Sequence, residues 1–246
     1  MIYPWKLKYW QTGEWQVCNE RLKDMEKAGH VYNPKRSDLF RSLQQLKPED
    51  VRVVIVGQDP YPDKEMATGL AFSIPDYIKA EDYPKTLQQI FKEYSSDTHY
   101  PDPPSGDLHK WADQGVLLWN AIPSCKANAS LSHDWDEYSF LTREVLEVLS
   151  NTGGIVFVFL GSVAKRYIDC VDVTKSSVVT TSHPSPRGGS NSRNPFIGSR
   201  IFTTINDKLV DLGRQPINWR LDDAEGNRGV GQEGSSRADL DRSRTP

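Results

Sequence analysis

Long hydrophobic runs are missing from this chain. No stretch approaches the roughly 18 consecutive apolar residues that a membrane-spanning helix needs, and the opening MIYPWKLKYWQTGEWQ lacks the apolar segment of a secretion signal. A soluble protein is expected: cytoplasmic in a bacterial or viral setting, nuclear in a eukaryotic one, and not secreted. Cysteine is scarce too. Cys18, Cys125 and Cys170 lie too far apart to form a C-x-x-C clasp or, by themselves, a four-cysteine iron–sulfur set, so reduced, buried thiols are expected. Nor does one sign of charge dominate: 30 basic side chains face 33 acidic ones, a formal net charge of −3. Contact with a polyanion would have to come from local clustering. No repeat recurs at solenoid periods. What is present is a globular mixture of 246 residues, 37% hydrophobic and 26% charged. That suffices for one sizeable core or two small ones, and excludes a collagen, a coiled coil or a wholly disordered chain.

Four apolar, β-branched runs have the length of buried parallel strands: Val51 to Val56, Val116 to Trp119, Ile155 to Leu160 and Val178 to Thr181. Between them, Leu87, Ile90, Phe91 and Tyr94 keep helical spacing, as do Phe140, Leu141, Val145, Leu146, Val148 and Leu149. This alternation implies an α/β fold, a three-layer α/β/α arrangement around a central four-stranded parallel sheet. Ser37 to Leu46 reads as a further helix, with Ser37 as N-cap and Leu39, Phe40, Leu43 and Leu46 inward. Ile201, Ile205, Leu209 and Leu212 form the last helix, with Gly213 at its C-terminal end.

Residues 20–219 are therefore expected to form the core domain. Residues 1–19 make an N-terminal aromatic extension, in which Tyr3, Trp5, Tyr9, Trp10 and Trp15 offer a stacking platform for single strands or, the favoured reading, pin the terminus to the core. Residues 220–246 hold no aromatic side chain and are rich in Gly, Ser and mixed charge. Such a tail buries too little to offset its ordering entropy and is expected to be disordered.

In an open parallel sheet, ligands gather at the carboxyl ends of the strands. There the chain places Gly57-Gln58-Asp59-Pro60-Tyr61-Pro62, Trp119-Asn120, Gly161-Ser162 and Ser182-His183-Pro184-Ser185-Pro186-Arg187. Taken singly, Asp59 is a turn former, His183 a structural histidine and Asn120 a strand-end cap. Together, a carboxylate, a carboxamide and an imidazole on loops stiffened by Pro60, Pro62, Pro184 and Pro186 suggest an active site.

These segments resemble the uracil-DNA glycosylases of the family 1 type. Gly57-Gln-Asp-Pro-Tyr61 is similar to that family's water-activating loop, and Leu70-Ala-Phe-Ser-Ile-Pro75 to its uracil-stacking segment. Gly115-Val-Leu-Leu-Trp-Asn120 is similar to its base-reading strand, and His183-Pro-Ser-Pro186 to its DNA-intercalating loop. The motifs occur in the family's order. Val31-Tyr-Asn-Pro, Ser132-His133 and Pro216-Ile-Asn-Trp219 extend the likeness across most of residues 20–219. The resemblance implies hydrolysis of the bond between uracil and deoxyribose in DNA, releasing free uracil and leaving an abasic site, with no metal or organic cofactor.

It further implies Asp59 and His183 as catalytic residues. Asp59 would position water and face the sugar cation; His183 would donate, as a neutral imidazole, to uracil O2. Gln58, Tyr61, Phe72 and Asn120 would bind uracil. Asn120 would match O4 and N3–H and reject cytosine, Phe72 would stack on the ring, and Tyr61 would exclude the methyl group of thymine. Thr86, Ser162, Ser185 and Arg187 would hold DNA, and His133 matches a position beside the pocket. Expected partners are uracil-containing DNA, single- or double-stranded, and proteinaceous inhibitors that mimic DNA; the expected state is a monomer.

Two residues depart from the pattern. Pro62 replaces a common histidine and Arg187 a leucine that wedges into the base stack. They motivate an alternative, a DNA-binding or polymerase-processivity module of the same fold with weakened catalysis. A third reading, action on another damaged base, is disfavoured by Tyr61, Asn120 and the cysteine count. From Val173 to Asn206 no acidic residue occurs, so Lys175, Arg187, Arg193 and Arg200 are expected to face phosphate.

Overall fold

All four apolar runs form strands, each within two residues of its expected start. The computed structural model describes residues 5–63, 65–186 and 193–222. Its strands are β1 (Tyr32–Asn33), β2 (Val53–Gly57), β3 (Val116–Asn120), β4 (Cys125–Lys126), β5 (Val156–Leu160) and β6 (Ser177–Thr181). Its α-helices are α1 (Gly13–Lys27), α2 (Arg41–Gln45), α3 (Lys85–Thr98), α4 (His109–Ala112), α5 (Asp136–Thr152), α6 (Gly161–Lys165) and α7 (Ile201–Asp211). The central sheet has the order β3-β2-β5-β6, every pair parallel.

Successive strand residues point to opposite faces, and this alternation makes the three layers. Val54, Val56, Leu117, Trp119, Phe157 and Phe159 face a core shared with α1, α2 and α5. Val53, Ile55, Val116, Leu118, Val156 and Val158 face a second core shared with α3 and α7. On α5 the inward set is Tyr138, Leu141, Val145, Leu146 and Leu149, whereas Phe140, which fits the same spacing, is exposed.

The α2 region differs from expectation at its start. Leu39, Phe40, Leu43 and Leu46 are buried, but Ser37 sits within a 3-10 turn, Arg36–Asp38, and α2 begins only at Arg41 without a side-chain cap. The Ser37 hydroxyl lies 3.2 Å from its neighbour Asp38, not on a helix N–H group. At the other end of the chain, Gly213 does follow the last helical turn with φ +69°.

The N-terminal aromatics pack onto the first core. Trp5 and Tyr9 are buried, the Trp5 indole donates to Leu46 O at 2.7 Å, and the Glu144 carboxylate accepts from the Lys8 and Tyr9 amides. Trp10 and Trp15 meet Phe40 edge-on. Helix α1 crosses position 19 without a break. At the C-terminal side, the first residues of the expected tail are ordered: Leu221 is buried, its carbonyl accepts from Lys110, and Arg220 pairs with Asp222 at 2.6 Å; residues 223–246 of that tail lie outside the described residues. All three cysteines are free and buried. No helix among the described residues is long and apolar enough to cross a membrane.

Helix α7 starts where Arg200 adopts a left-handed conformation, φ +52°. Its exposed amides are satisfied from α3. The buried Glu93 carboxylate accepts from the Gly198 and Arg200 amides, and Asp97 accepts from the Thr203 amide at 2.9 Å. This junction closes the second core behind the loop that carries His183.

Candidate active site

Strand register decides which loops meet. Gly57 at the end of β2 lies opposite Asn120 at the end of β3, and chain order reverses across β2, the place where open α/β sheets form crevices. A cavity of about 370 Å³ opens there, lined by Gln58, Asp59, Pro60, Tyr61, Pro62, Leu70, Phe72, Thr86, Asn120, Ser130, His183 and Ser185, among others. Its size falls in the range of small-molecule sites.

Gly57 makes the close packing of the cavity possible. A Cβ on it would lie 2.9 Å from the Phe72 ring and 3.0 Å from the Asn120 side-chain oxygen. Phe72 holds φ +65°, a costly conformation for a residue with a side chain. The Ala71 amide donates to Leu118 O at 3.0 Å and the Tyr61 hydroxyl to Phe72 O at 3.1 Å, fixing this segment on both sides. Burial drives the Tyr61 phenol far above its ordinary value, so it stays protonated. Asn120 is 8% exposed, and among the described residues its carboxamide has no hydrogen-bond partner; it is free to face a ligand.

Asp59 sits at the mouth with both oxygens engaged. Oδ1 accepts from Gln58 Nε2 at 2.9 Å, and Oδ2 from the Ser130 hydroxyl at 2.7 Å and the Leu131 amide at 2.6 Å. The Gln58 amide nitrogen is thus directed at Asp59 and Ser130. Behind the loop, Asn33 Nδ2 and the Asn128 amide both donate to Pro62 O.

His183 comes from the loop after β6, its ring centroid 6.1 Å from that of Phe72. Burial lowers its pKa, opposed by the Asp59 charge, so the neutral form prevails near pH 7. Gly161, at φ +91°, admits this approach: a Cβ there would lie 2.8 Å from the His183 Cβ. The Ser182 amide bonds Asn194 O at 2.8 Å and its hydroxyl accepts from the Phe196 amide, tying the base of the loop.

Of the ten expected site residues, eight line this one cavity: Asp59, His183, Gln58, Tyr61, Phe72, Asn120, Thr86 and Ser185. Ser162 is exposed on α6 and does not line it. Arg187 lies outside the described residues. Among the described basic residues of the stretch from Val173 to Asn206, Lys175 precedes β6, at the end of that strand away from His183, and pairs with Asp172, while Arg200 lies 3.9 Å from Asp97. His133 is a core residue, 2% exposed, bonded through Nδ1 to Ser124 and stacked on Trp135 at 4.3 Å. Ser130 and Leu131 were not expected from sequence. They reach Asp59 across separations of 71 and 72 residues, and no local pattern carries that contact. Among the described residues, no three His, Cys, Asp or Glu side chains gather as a metal set.

Fold and site together define an α/β protein whose parallel sheet carries, at the carboxyl ends of its strands, a cavity of small-molecule size lined by the Phe72 ring, the Asn120 carboxamide, the Asp59 carboxylate and the His183 imidazole. The model of the uracil DNA glycosylase superfamily matches residues 43–210. The chain is 36% identical over 211 residues to a uracil-DNA glycosylase of Lacticaseibacillus casei, covering 86% of this chain and 90% of that protein. It is 37% identical over 223 residues to one of Coxiella burnetii, covering 87% and 95%. Its fold is similar to the crystal structure of a substituted mimivirus UNG in complex with UGI, with TM-score 0.78, 26% identity, and 89% of this chain and 88% of that one covered. The chain belongs to the uracil-DNA glycosylase superfamily.

Proposed function

We propose that this protein is a monofunctional uracil-DNA glycosylase, which flips uracil out of DNA and hydrolyses its N-glycosidic bond to initiate base excision repair. The observation that carries the reading is the single cavity in which Asp59, Asn120, Phe72, Tyr61 and His183 meet. A base inside a duplex is inaccessible, so the nucleotide must leave the stack, and an unpaired or mispaired uracil leaves at least cost.

Within the cavity, uracil stacks on Phe72 while the Asn120 carboxamide donates to O4 and accepts from N3–H. Cytosine presents the opposite pattern and leaves both groups unpaired. Tyr61 occupies the space a thymine methyl would need. As the glycosidic bond breaks, the electron pair departs with the base and the sugar becomes an oxocarbenium-like cation. The Asp59 carboxylate stabilises that cation and orients the attacking water. The neutral His183 donates to O2 as negative charge grows there, a match to the transition state that needs no imidazolium. Thr86 and Ser185 take phosphates without reading sequence, and Ser162 and Arg187 extend that contact.

The bacterial relatives favour a cytoplasmic setting, and the mimivirus UNG in complex with UGI supports the expectation of proteinaceous inhibitors. The test is release of free base from oligonucleotides carrying uracil, thymine or cytosine. Wild type should release uracil alone, Tyr61→Ala should gain thymine and Asn120→Asp should gain cytosine. Unchanged base preference in both variants would overturn the assigned specificity.

A further inference from the structure

We infer that Ser130 is a positioning residue for the reaction, holding the Asp59 carboxylate in the orientation that serves water and sugar; the inference rests on the proposed role of Asp59. The side chain of Gln58, the chain neighbour of Asp59, engages Oδ1 and, among the described residues, reaches the rest of the fold only through its 3.2 Å bond to Ser130 itself. The two donors to Oδ2 tie the carboxylate to another part of the fold directly, because Ser130 and Leu131 belong to the connection between β4 and α5.

Proton direction in this cluster is fixed by chemistry. Gln58 Nε2 can only donate, and it lies 2.9 Å from Asp59 Oδ1 and 3.2 Å from Ser130 Oγ. An ionised carboxylate can only accept, so the Ser130 hydroxyl proton goes to Asp59 Oδ2 at 2.7 Å. The three side chains close a ring with no competing arrangement. Charge-assisted bonds of this kind are the strong ones, and a carboxylate held before the substrate arrives loses no reorganisation energy during reaction.

The platform beneath Ser130 is itself built. Ser132 Oγ donates to Ala129 O and accepts from the Lys126 amide, and the Asn128 amide bonds Pro62 O. Asn128 and Leu131 hold φ +61° and +62°, and for a leucine that conformation persists only where its surroundings demand it. Pro62, lining the same cavity, has no side-chain donor to offer. Ser130 is exposed and supports no core contact, so losing its hydroxyl leaves the fold intact.

The test is steady-state uracil release by wild type, Ser130→Ala and Ser130→Thr, with DNA affinity measured alongside. Ser130→Ala should lower kcat about tenfold to a hundredfold, the loss of one bond to a charged group, while KM and DNA affinity stay within about twofold. Ser130→Thr, which keeps the hydroxyl, should recover most of the rate. In an Asp59→Ala background, Ser130→Ala should have no further effect. Wild-type kcat in Ser130→Ala, a loss that follows weakened DNA binding, or an equal loss without Asp59 would each overturn the inference. A wild type that releases no uracil would overturn the proposed function and this inference together, whereas an active wild type matched by Ser130→Ala overturns the inference alone.

Discussion

At the scale of single residues, small groups set the geometry that large ones use. Gly57→Ala should drive the Phe72 ring and Asn120 apart, since the added methyl meets both at about 3 Å. The expected outcome is about a hundredfold loss in kcat/KM, as for a misplacement near the chemistry, with a thermal midpoint nearly unchanged; full activity would show that the contacts yield. His133 makes a different prediction. Its pKa is pushed down to about 4 by burial, while an unfolded histidine sits near 6.5. The unfolded chain therefore binds the proton more readily. Stability is fully present above about pH 6.5 and falls toward pH 4, by about 3 kcal/mol in all. His133→Gln should flatten that part of the stability profile in urea titrations between pH 7 and 4.5, and an unchanged slope would assign the acid sensitivity elsewhere. Much of the site was legible at this scale. Asp59, Asn120 and His183 end apolar runs, and a strand end names its own functional position. Ser130 was not legible, because a hydroxyl in a polar loop looks the same whether or not a carboxylate waits above it.

At the scale of elements, regular strands were legible and irregular connections were not. β2, β3 and β5 are buried on both faces and read as continuous apolar runs. The two-residue strands β1 and β4 pair Tyr32 with Lys126 and Asn33 with Cys125, and two residues leave no periodicity to detect. The delayed start of α2 has a similar cause: Ser37 has the right type for a cap, but the chain turns once before the helix begins. The junction of α3 and α7 shows how one element can cap another. Glu93→Ala should remove the buried carboxylate on which the Gly198 and Arg200 amides converge and cost about 1.5–3 kcal/mol, the loss of hydrogen bonds to a charged group, read as a lowered denaturation midpoint. Because this junction lies behind the His183 loop, the surviving folded fraction should also lose activity; equal stability in the variant would show that the amides find other partners.

At the scale of the whole molecule, the N-terminal aromatics are part of the first core, and a formal net charge of −3 gives no overall attraction to a polyanion. Charge order along the chain did not predict charge placement in space. Lys175 is separated from the His183 loop by the length of β6, about 16 Å of extended chain, whereas the cavity gathers residues from position 58 to position 185. The central claim is that this gathered set breaks the uracil glycosidic bond through Asp59. Its most direct test is release of free uracil from a single-uracil oligonucleotide without added divalent metal, comparing wild type with Asp59→Asn. The account predicts turnover by the wild type and a loss of about a hundredfold or more in the variant, with DNA binding retained. Equal turnover by both proteins, or none by either with DNA still bound, would contradict it.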